Sequence, residues 1–289
     1  MLKVRIIGVL VVKAGTVVQS INFDKYLPVG RPAIAVDYLN RWGIDEITLL
    51  DINATQEARS PRFDDIREYS KSCHVPLSVG GGISDIDDIR RLIHFGADKV
   101  VLNNVLVKNI NLITEGARLF GNQCIVASID ARRISPRKYE AFTNSGKMPT
   151  GFAPAELAKK AEERGAGEIL LNSIDRDGSK KGYDLELIEQ VMNAVNIPVI
   201  VCGGVNHPSH FQEAIELGVS AVAAANFFHY TEHSVITVKS YLKSLDDRVR
   251  LDSYATYDHS KFDLLGRAGK EEDTVLDKLR FEYIPEEII

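Results

Sequence analysis

The chain has 289 residues, 45% of them hydrophobic and 26% charged, which is enough to bury one barrel-sized core or two smaller ones. A formal net charge of -5 and a pI near 5.9 exclude a general basic field, so nucleic acid is not an expected partner and any anion must be held by particular loops. No apolar run approaches the length that spans a bilayer, which points to a cytoplasmic protein without a membrane partner.

Eight short β-branched runs recur in chain order, at residues 5–11, 46–52, 75–80, 99–103, 124–130, 168–173, 198–202 and 221–225. Amphipathic helical patterns alternate with them at 33–42, 63–72, 86–95, 110–119, 154–164, 185–194, 208–217 and 235–242. Near-continuous apolar strands separated by helices predict a parallel sheet covered on its outer face. Eight such units predict an α/β fold, a (β/α)8 TIM barrel over residues 1–245. After the fifth strand, residues 139–148 read as an inserted hairpin turning at Asn144-Ser145-Gly146. Residues 246–289 form a C-terminal extension with scattered aromatics, expected to pack on the barrel or on a partner. Cys73, Cys124 and Cys202 are odd in number and widely spaced, which suits reduced structural thiols better than disulfides or metal ligands.

The barrel is written as two similar halves. Ile6-Ile7-Gly8-Val9-Leu10-Val11 aligns with Ile125-Val126-Ala127-Ser128-Ile129-Asp130, and Gly43-Ile44-Asp45-Glu46-Ile47 with Gly165-Ala166-Gly167-Glu168-Ile169. Gly81-Gly82 matches Gly203-Gly204, and Asn104 matches Asn226. Diglycine turns after apolar strands let backbone N–H groups face an anion, and Asn104 and Asn226 are placed to cap short helices. The paired loops therefore suit a ligand carrying a phosphate at each end; the alternative is two tight turns that the strand-to-helix geometry requires. Asp51, Asp130 and Asp177 fall near C-terminal strand ends, where barrel active sites lie. His207 and His210 lack a nearby Cys or carboxylate to complete a metal set, so no metal or cofactor is expected.

These residues resemble the HisF family, the cyclase subunit of imidazole glycerol phosphate synthase, over roughly residues 1–245. The matching stretches include Leu50-Asp51-Ile52, Gly96-Ala97-Asp98-Lys99-Val100, Ser128-Ile129-Asp130, Ser145-Gly146-Lys147 and, above all, Ser173-Ile174-Asp175-Arg176-Asp177-Gly178. The resemblance implies a barrel that receives ammonia from a separate class I glutaminase, HisH-like, docked at its bottom face. On the top face the family splits and cyclises a bisphosphorylated ribonucleotide. It implies phosphate contacts at Gly81, Gly82, Asn104, Gly203, Gly204 and Asn226, an ammonia gate of Arg5, Glu46, Lys99 and Glu168, and a glutaminase contact at Asp98.

The departures from that pattern lie at the chemistry. The family's acid–base pair sits on strands one and five; this chain keeps Asp130 but has Val11, and its first loop has Gln19 where the family has Lys. Asn104, Asn172 and Asn226 stand where the family has Thr or Ser. An aliphatic residue on strand one resembles a paralogous, glycosyl amidation-associated branch, as do the segments 50–55 and 181–188. That branch implies a complex with a glutaminase and an ATP-dependent N-acetyl-sugar amidotransferase, converting acetamido to acetamidino groups during lipopolysaccharide biosynthesis. The alternative expectation is an active cyclase, a lyase of histidine biosynthesis, using Asp130 with Asp177.

Overall fold

Eight parallel strands close on themselves in the computed structural model, which describes residues 3–231, 233–245, 249–251, 253, 257 and 260–269. They are β1 (Arg5–Lys13), β2 (Glu46–Asp51), β3 (Leu77–Gly80), β4 (Lys99–Leu102), β5 (Ile125–Ser135), β6 (Glu168–Ser173), β7 (Val199–Cys202) and β8 (Ala221–Ala224). Each strand pairs in parallel with the next, and β8 closes on β1 with Arg5 to Gly8 beside Ala221 to Ala224. The (β/α)8 barrel read from the sequence is the fold.

The outer layer consists of α1 (Pro32–Arg41), α2 (Phe63–Lys71), α3 (Ile86–His94), the single-turn α4 (Val105–Lys108), α5 (Asn111–Phe120), α6 (Pro154–Glu163), α7 (Leu185–Met192), α8 (Pro208–Glu216) and α9 (Ser234–Leu245). Proline opens α1, α6 and α8, where its missing N–H is one the helix leaves unbonded anyway. At α3 the Asp85 carboxylate accepts from Asp88 N at 2.9 Å, and Arg91 and His94 occupy the last turn, matching the helix dipole at both ends.

Strand alternation divides the apolar side chains between two cores. One set, including Ile6, Leu10, Ile47, Val100 and Ile125, packs outward against the helices. The other, Ile7, Val9, Val101, Val126, Leu170, Ile200, Ala221 and Ala223, fills the barrel lumen. The three inward positions of β8 and the loop after it are all alanine, Ala221, Ala223 and Ala225, so that side of the lumen is narrow-walled.

Two hairpins rise from the top rim, and only the second was expected. Strand β1 turns at Ala14 and Gly15, both at positive φ, into Thr16–Ile21, which pairs antiparallel with Lys25–Gly30. This is a two-residue hairpin loop whose twist suits its arms. In the second half, β5 runs on past the predicted end at Asp130 to Ser135 and pairs with Lys138–Thr143, which then pairs with Met148–Pro149. The predicted turn at Asn144-Ser145-Gly146 therefore joins the second arm to a short third strand, not the two main arms. Asn22 and Phe23, at φ 54 and 56, repeat Asn144 and Ser145, at φ 54 and 55, so the internal duplication extends into the hairpins.

Much of the expected extension 246–289 lies outside the described residues. Its described parts lie on the barrel: Val249 is buried, the Phe262 ring meets Tyr241, and Leu265 O accepts from Ser209 N.

One buried ion pair ties the last helix to the first units. Lys239 on α9 is 1% exposed, and its Nζ donates to Asp45 Oδ1 at 2.7 Å and to Gly43 O, while Asp45 Oδ2 accepts from Ile6 N at 2.7 Å. Removing the lysine leaves the buried carboxylate with the exposed Arg250 guanidinium, 3.6 Å from Oδ1, as its remaining counter-charge among the described residues, a loss of up to about 3–5 kcal/mol. Lys239→Met is expected to lower the melting temperature by about 10 °C. Adding Asp45→Asn should recover part of the loss, because the stranded charge is then gone. A single variant melting within about 2 °C of the native protein would show that the pair contributes little.

Candidate functional site

The first inward side chains of β1, β2, β4 and β6 are Arg5, Glu46, Lys99 and Glu168, and barrel closure brings them into one ring at the bottom. Arg5 Nη1 lies 2.7 Å from Glu46 Oε2 and its Nη2 lies 2.8 Å from Glu168 Oε1. Lys99 Nζ lies 3.0 Å from Glu46 Oε2 and 2.8 Å from Glu168 Oε2. Each carboxylate thus touches both cations, and Ser78 Oγ donates to the remaining Glu46 oxygen at 2.8 Å. Glu46 is only 1% exposed, a burial that two opposite charges and a hydroxyl make tolerable. The ring closes the floor of the lumen. Asp98 lies beside it on the same face, exposed, with Oδ2 accepting from Leu77 N at 2.8 Å.

At the opposite end the lumen opens into a cleft of about 980 Å³. Val9, Val11, Leu50 and Val101 form its lower walls; Ser128, Asp130, Asn172 and Asp177 supply polar groups; Phe23 and Tyr26, from the first hairpin, roof it. Asn103 Nδ2 donates to Asp130 Oδ2 at 3.3 Å and to Ser128 O at 3.0 Å. Asp177 Oδ2 accepts from Ser20 Oγ at 2.6 Å and from Phe23 N at 3.1 Å, so this carboxylate also fastens the hairpin over the cleft. Its charged lining residues are Asp51, Asp130 and Asp177; among the described residues no Lys or Arg lines it. Asp51 is paired with Arg59 at 2.6 Å, which leaves Asp130 and Asp177 as the carboxylates without a cation.

The electrostatics follow from that composition. Burial pushes the Asp130 carboxyl up to about 7; a hydrogen bond from Asn172 opposes the shift and the charge of Asp177 adds to it. Burial also raises Asp177, against the bonds from Ser20 and Phe23. Tyr26 is pushed up to about 12 by burial and by Asp177, Asp24 and Asp130. A carboxyl poised near neutrality can give or take a proton. Val11, four strands away on the far side of the same cleft, can do neither.

The expected phosphate loops are present but not equivalent. Gly81 and Gly82 border the main cleft, whereas Gly203, Gly204 and Asn226 border a smaller one of about 370 Å³ that also takes in Lys180. At Gly81 a Cβ would come 2.2 Å from Asp51 O, and at Gly204 2.2 Å from Gly182 O. Close packing on a neighbouring loop therefore demands these glycines before any ligand is considered. The capping expected of Asn104 and Asn226 does not occur. Asn104 Oδ1 accepts from Asn144 N at 2.9 Å; Asn226 Oδ1 accepts from Ser20 N at 3.0 Å and its Nδ2 donates to Ser20 O at 2.6 Å. Each asparagine holds the hairpin of the opposite half, because backbone groups of those hairpins lie nearer than the helix N–H groups.

Ser20, Phe23 and Tyr26 were missed in the sequence because the first hairpin was. The Ala14-Gly15 turn and the apolar Val17-Val18 that follows are the signal that locates it. Cys202 also lines both clefts, its thiol pushed up to about 12 by burial and the two aspartates.

An aspartate held near 7 destabilises the fold. Below the unfolded value near 4 both states are protonated; between about 4 and 7 the unfolded chain ionises and the folded protein does not, so stability falls as pH rises. Asp130→Asn is therefore expected to raise the melting temperature, by more at pH 8 than at pH 5, and to have almost no effect near pH 4. An advantage that is independent of pH would show that Asp130 titrates normally.

Residues 5–234 match the family described as "Histidine biosynthesis protein". A Vibrio vulnificus protein named "Putative imidazole glycerol phosphate synthase subunit hisF2" is 42% identical over 268 residues, 92% of this chain and 98% of its own. Proteins of two Bacillus cereus strains named "Imidazole glycerol phosphate synthase subunit HisF" are each 44% identical over 252 residues, 87% of this chain and all of theirs. No helix among the described residues is long and apolar enough to cross a membrane. With its closed barrel, and with matches that cover these relatives almost end to end, the chain belongs to the histidine biosynthesis protein family and, within it, to the HisF type.

Proposed function

We propose that this chain is the ammonia-conducting synthase subunit of a cytoplasmic, glutamine-dependent amidotransferase complex. A HisH-like class I glutaminase docks on the floor around Asp98, and ammonia passes the ring of Arg5, Glu46, Lys99 and Glu168 into the lumen. It leaves at the top for an N-acetyl-sugar amidotransferase that makes an acetamidino group for a surface polysaccharide. The observation that carries this reading is the contrast between the two ends of one lumen. The floor keeps a complete four-charge ring, while the cleft above has Asp130 on one side and Val11 on the other. A missing general acid or base typically lowers a rate by about 10²–10⁴-fold. The small walls at Ala221 and Ala223 suit a molecule the size of ammonia.

A second reading, an active cyclase, draws support from the names of the relatives and from Asp130 and Asp177 sharing the cleft. Two measurements separate them. With saturating ammonium salt and the bisphosphorylated cyclase substrate, the native protein is expected to show no turnover and Val11→Asp to gain it if the phosphate contacts survive; native turnover would establish the cyclase. In the complex reconstituted with glutaminase and amidotransferase, Lys99→Met and Glu46→Gln are expected to cut glutamine-dependent transfer by about tenfold or more and to leave transfer from ammonium salt intact. Unchanged glutamine-dependent transfer would end the conduit reading.

A further inference from the structure

A further cavity, of about 1070 Å³, opens on the outer wall of the barrel between α1 and residues 228–231, which follow β8. It shares no lining residue with the cleft at the top of the lumen or with the floor ring. Along α1 its wall is a stripe at helical spacing, Ile34, Tyr38 and Trp42, with Arg31 at the head of the helix. The helix rises about 16 Å from Arg31 to Trp42, so the cavity is an elongated groove with its charge at one end and an aromatic ring at the other. Val29, Ile34, Tyr38 and Tyr230, all in its lining, are between 43% and 54% exposed. Apolar side chains exposed singly need no explanation; gathered in one concave surface they mark a binding site.

Two polar groups in this lining are uncommitted. Arg31 is exposed, has no ion-pair partner among the described residues, and shares the groove with no carboxylate. The first turn of α1 carries no acidic residue and no side-chain cap, so the positive end of the helix dipole adds to the arginine. His229 is the second group. Burial lowers it to about 4, which keeps the ring neutral at pH 7, and its Nε2 is buried with no hydrogen-bond partner among the described residues. Buried ring nitrogens are normally bonded, so the fold leaves this imidazole to something else.

We propose that this groove binds an elongated monocarboxylate with an apolar body, an aryl-alkyl or alkyl acid, its carboxylate held by Arg31, its body lying along Ile34 and Tyr38 towards Trp42, and the His229 imidazole supplying a hydrogen bond. A guanidinium matches the planar carboxylate with paired N–H donors, and the aromatic wall matches the body. A cation would meet the arginine, and a sugar would set hydroxyls against walls that cannot bond them. Val29 belongs to the second arm of the first hairpin, so the occupant rests against the arm that carries Tyr26 into the roof of the top cleft. The site stands whether the barrel is a conduit or a cyclase.

Trp42 is the only tryptophan in the 289 residues, so its indole N–H gives one NMR signal that reports on the groove. The test is a titration of the full-length protein with sodium 4-phenylbutyrate, with 4-phenylbutanol and sodium butyrate as controls for body without charge and charge without body. Saturable movement of the Trp42 signal is expected with 4-phenylbutyrate, at an affinity about tenfold or more above either control. Arg31→Gln should bring the acid down to the affinity of the alcohol, Ile34→Glu should abolish binding by placing a like charge on the wall, and His229→Phe should weaken it several-fold. Arg31 and Ile34 are exposed, so their variants keep the fold, which a thermal melt checks. No saturable movement, equal affinity for the alcohol, or unchanged affinity in any folded variant would overturn the proposal. So would a Trp42 signal that moves, with no carboxylate added, on Phe281→Ser in the extension, on dilution of the native protein or on addition of the amidotransferase. The groove would then belong to the chain's own extension, to a second copy or to the partner.

Discussion

A closed eight-stranded barrel forces every inward side chain to share one narrow lumen, and the rest of this protein depends on that constraint. Residues far apart in sequence, such as Arg5 and Glu168, become neighbours because their strands start at the same level of the barrel. The middle of the lumen must be apolar and well packed, since an unpaired polar group there would be costly. Charge is accommodated only at the two ends, and the ends use it differently. The floor balances two cations with two carboxylates in contact; the top pairs Asp51 with Arg59 but leaves Asp130 and Asp177 without an ion-pair partner among the described residues.

That difference separates stability from chemistry. The floor ring and the Lys239–Asp45 pair satisfy each charge within hydrogen-bonding distance, so they fasten the architecture. Asp130 does the opposite: its burial raises the carboxyl to about 7 and weakens the fold at neutral pH. A strained electrostatic position that the fold tolerates belongs where protons or charged ligands are handled. The hairpins then complete the upper cleft. Asp177, Asn226 and Ser20 tie the first hairpin down, and Asn104 with Asn144 ties the second, so each half of the barrel anchors the rim of the other.

Duplication explains both the symmetry and its breaking. Equivalent backbones recur at Asn22-Phe23 and Asn144-Ser145, and at the two diglycine turns, because backbone geometry is set by strand closure and loop packing. Side chains at equivalent positions are free to diverge. Val11 and Asp130 occupy matching sites, as do Leu50 and Asn172, so at these two strand positions the first half supplies apolar wall where the second half supplies a polar group.

The sequence by itself determined the eight strand–helix units, the halving of the barrel, the four ring residues and the absence of a carboxylate at Val11, since each is written in local periodicity or in matched segments. It did not disclose the first hairpin, whose exposed second arm, Lys25–Gly30, carries no alternating apolar pattern. It misjudged Asn104 and Asn226 as helix caps, because a cap is a local choice and these side chains take long-range backbone partners from loops folded over them. The raised Asp130 and its place beside Asp177 in a cleft that no Lys or Arg lines, among the described residues, were decided only by tertiary structure. Burial and mutual distance set those properties, and neither exists along a chain until closure brings both ends of each strand into register.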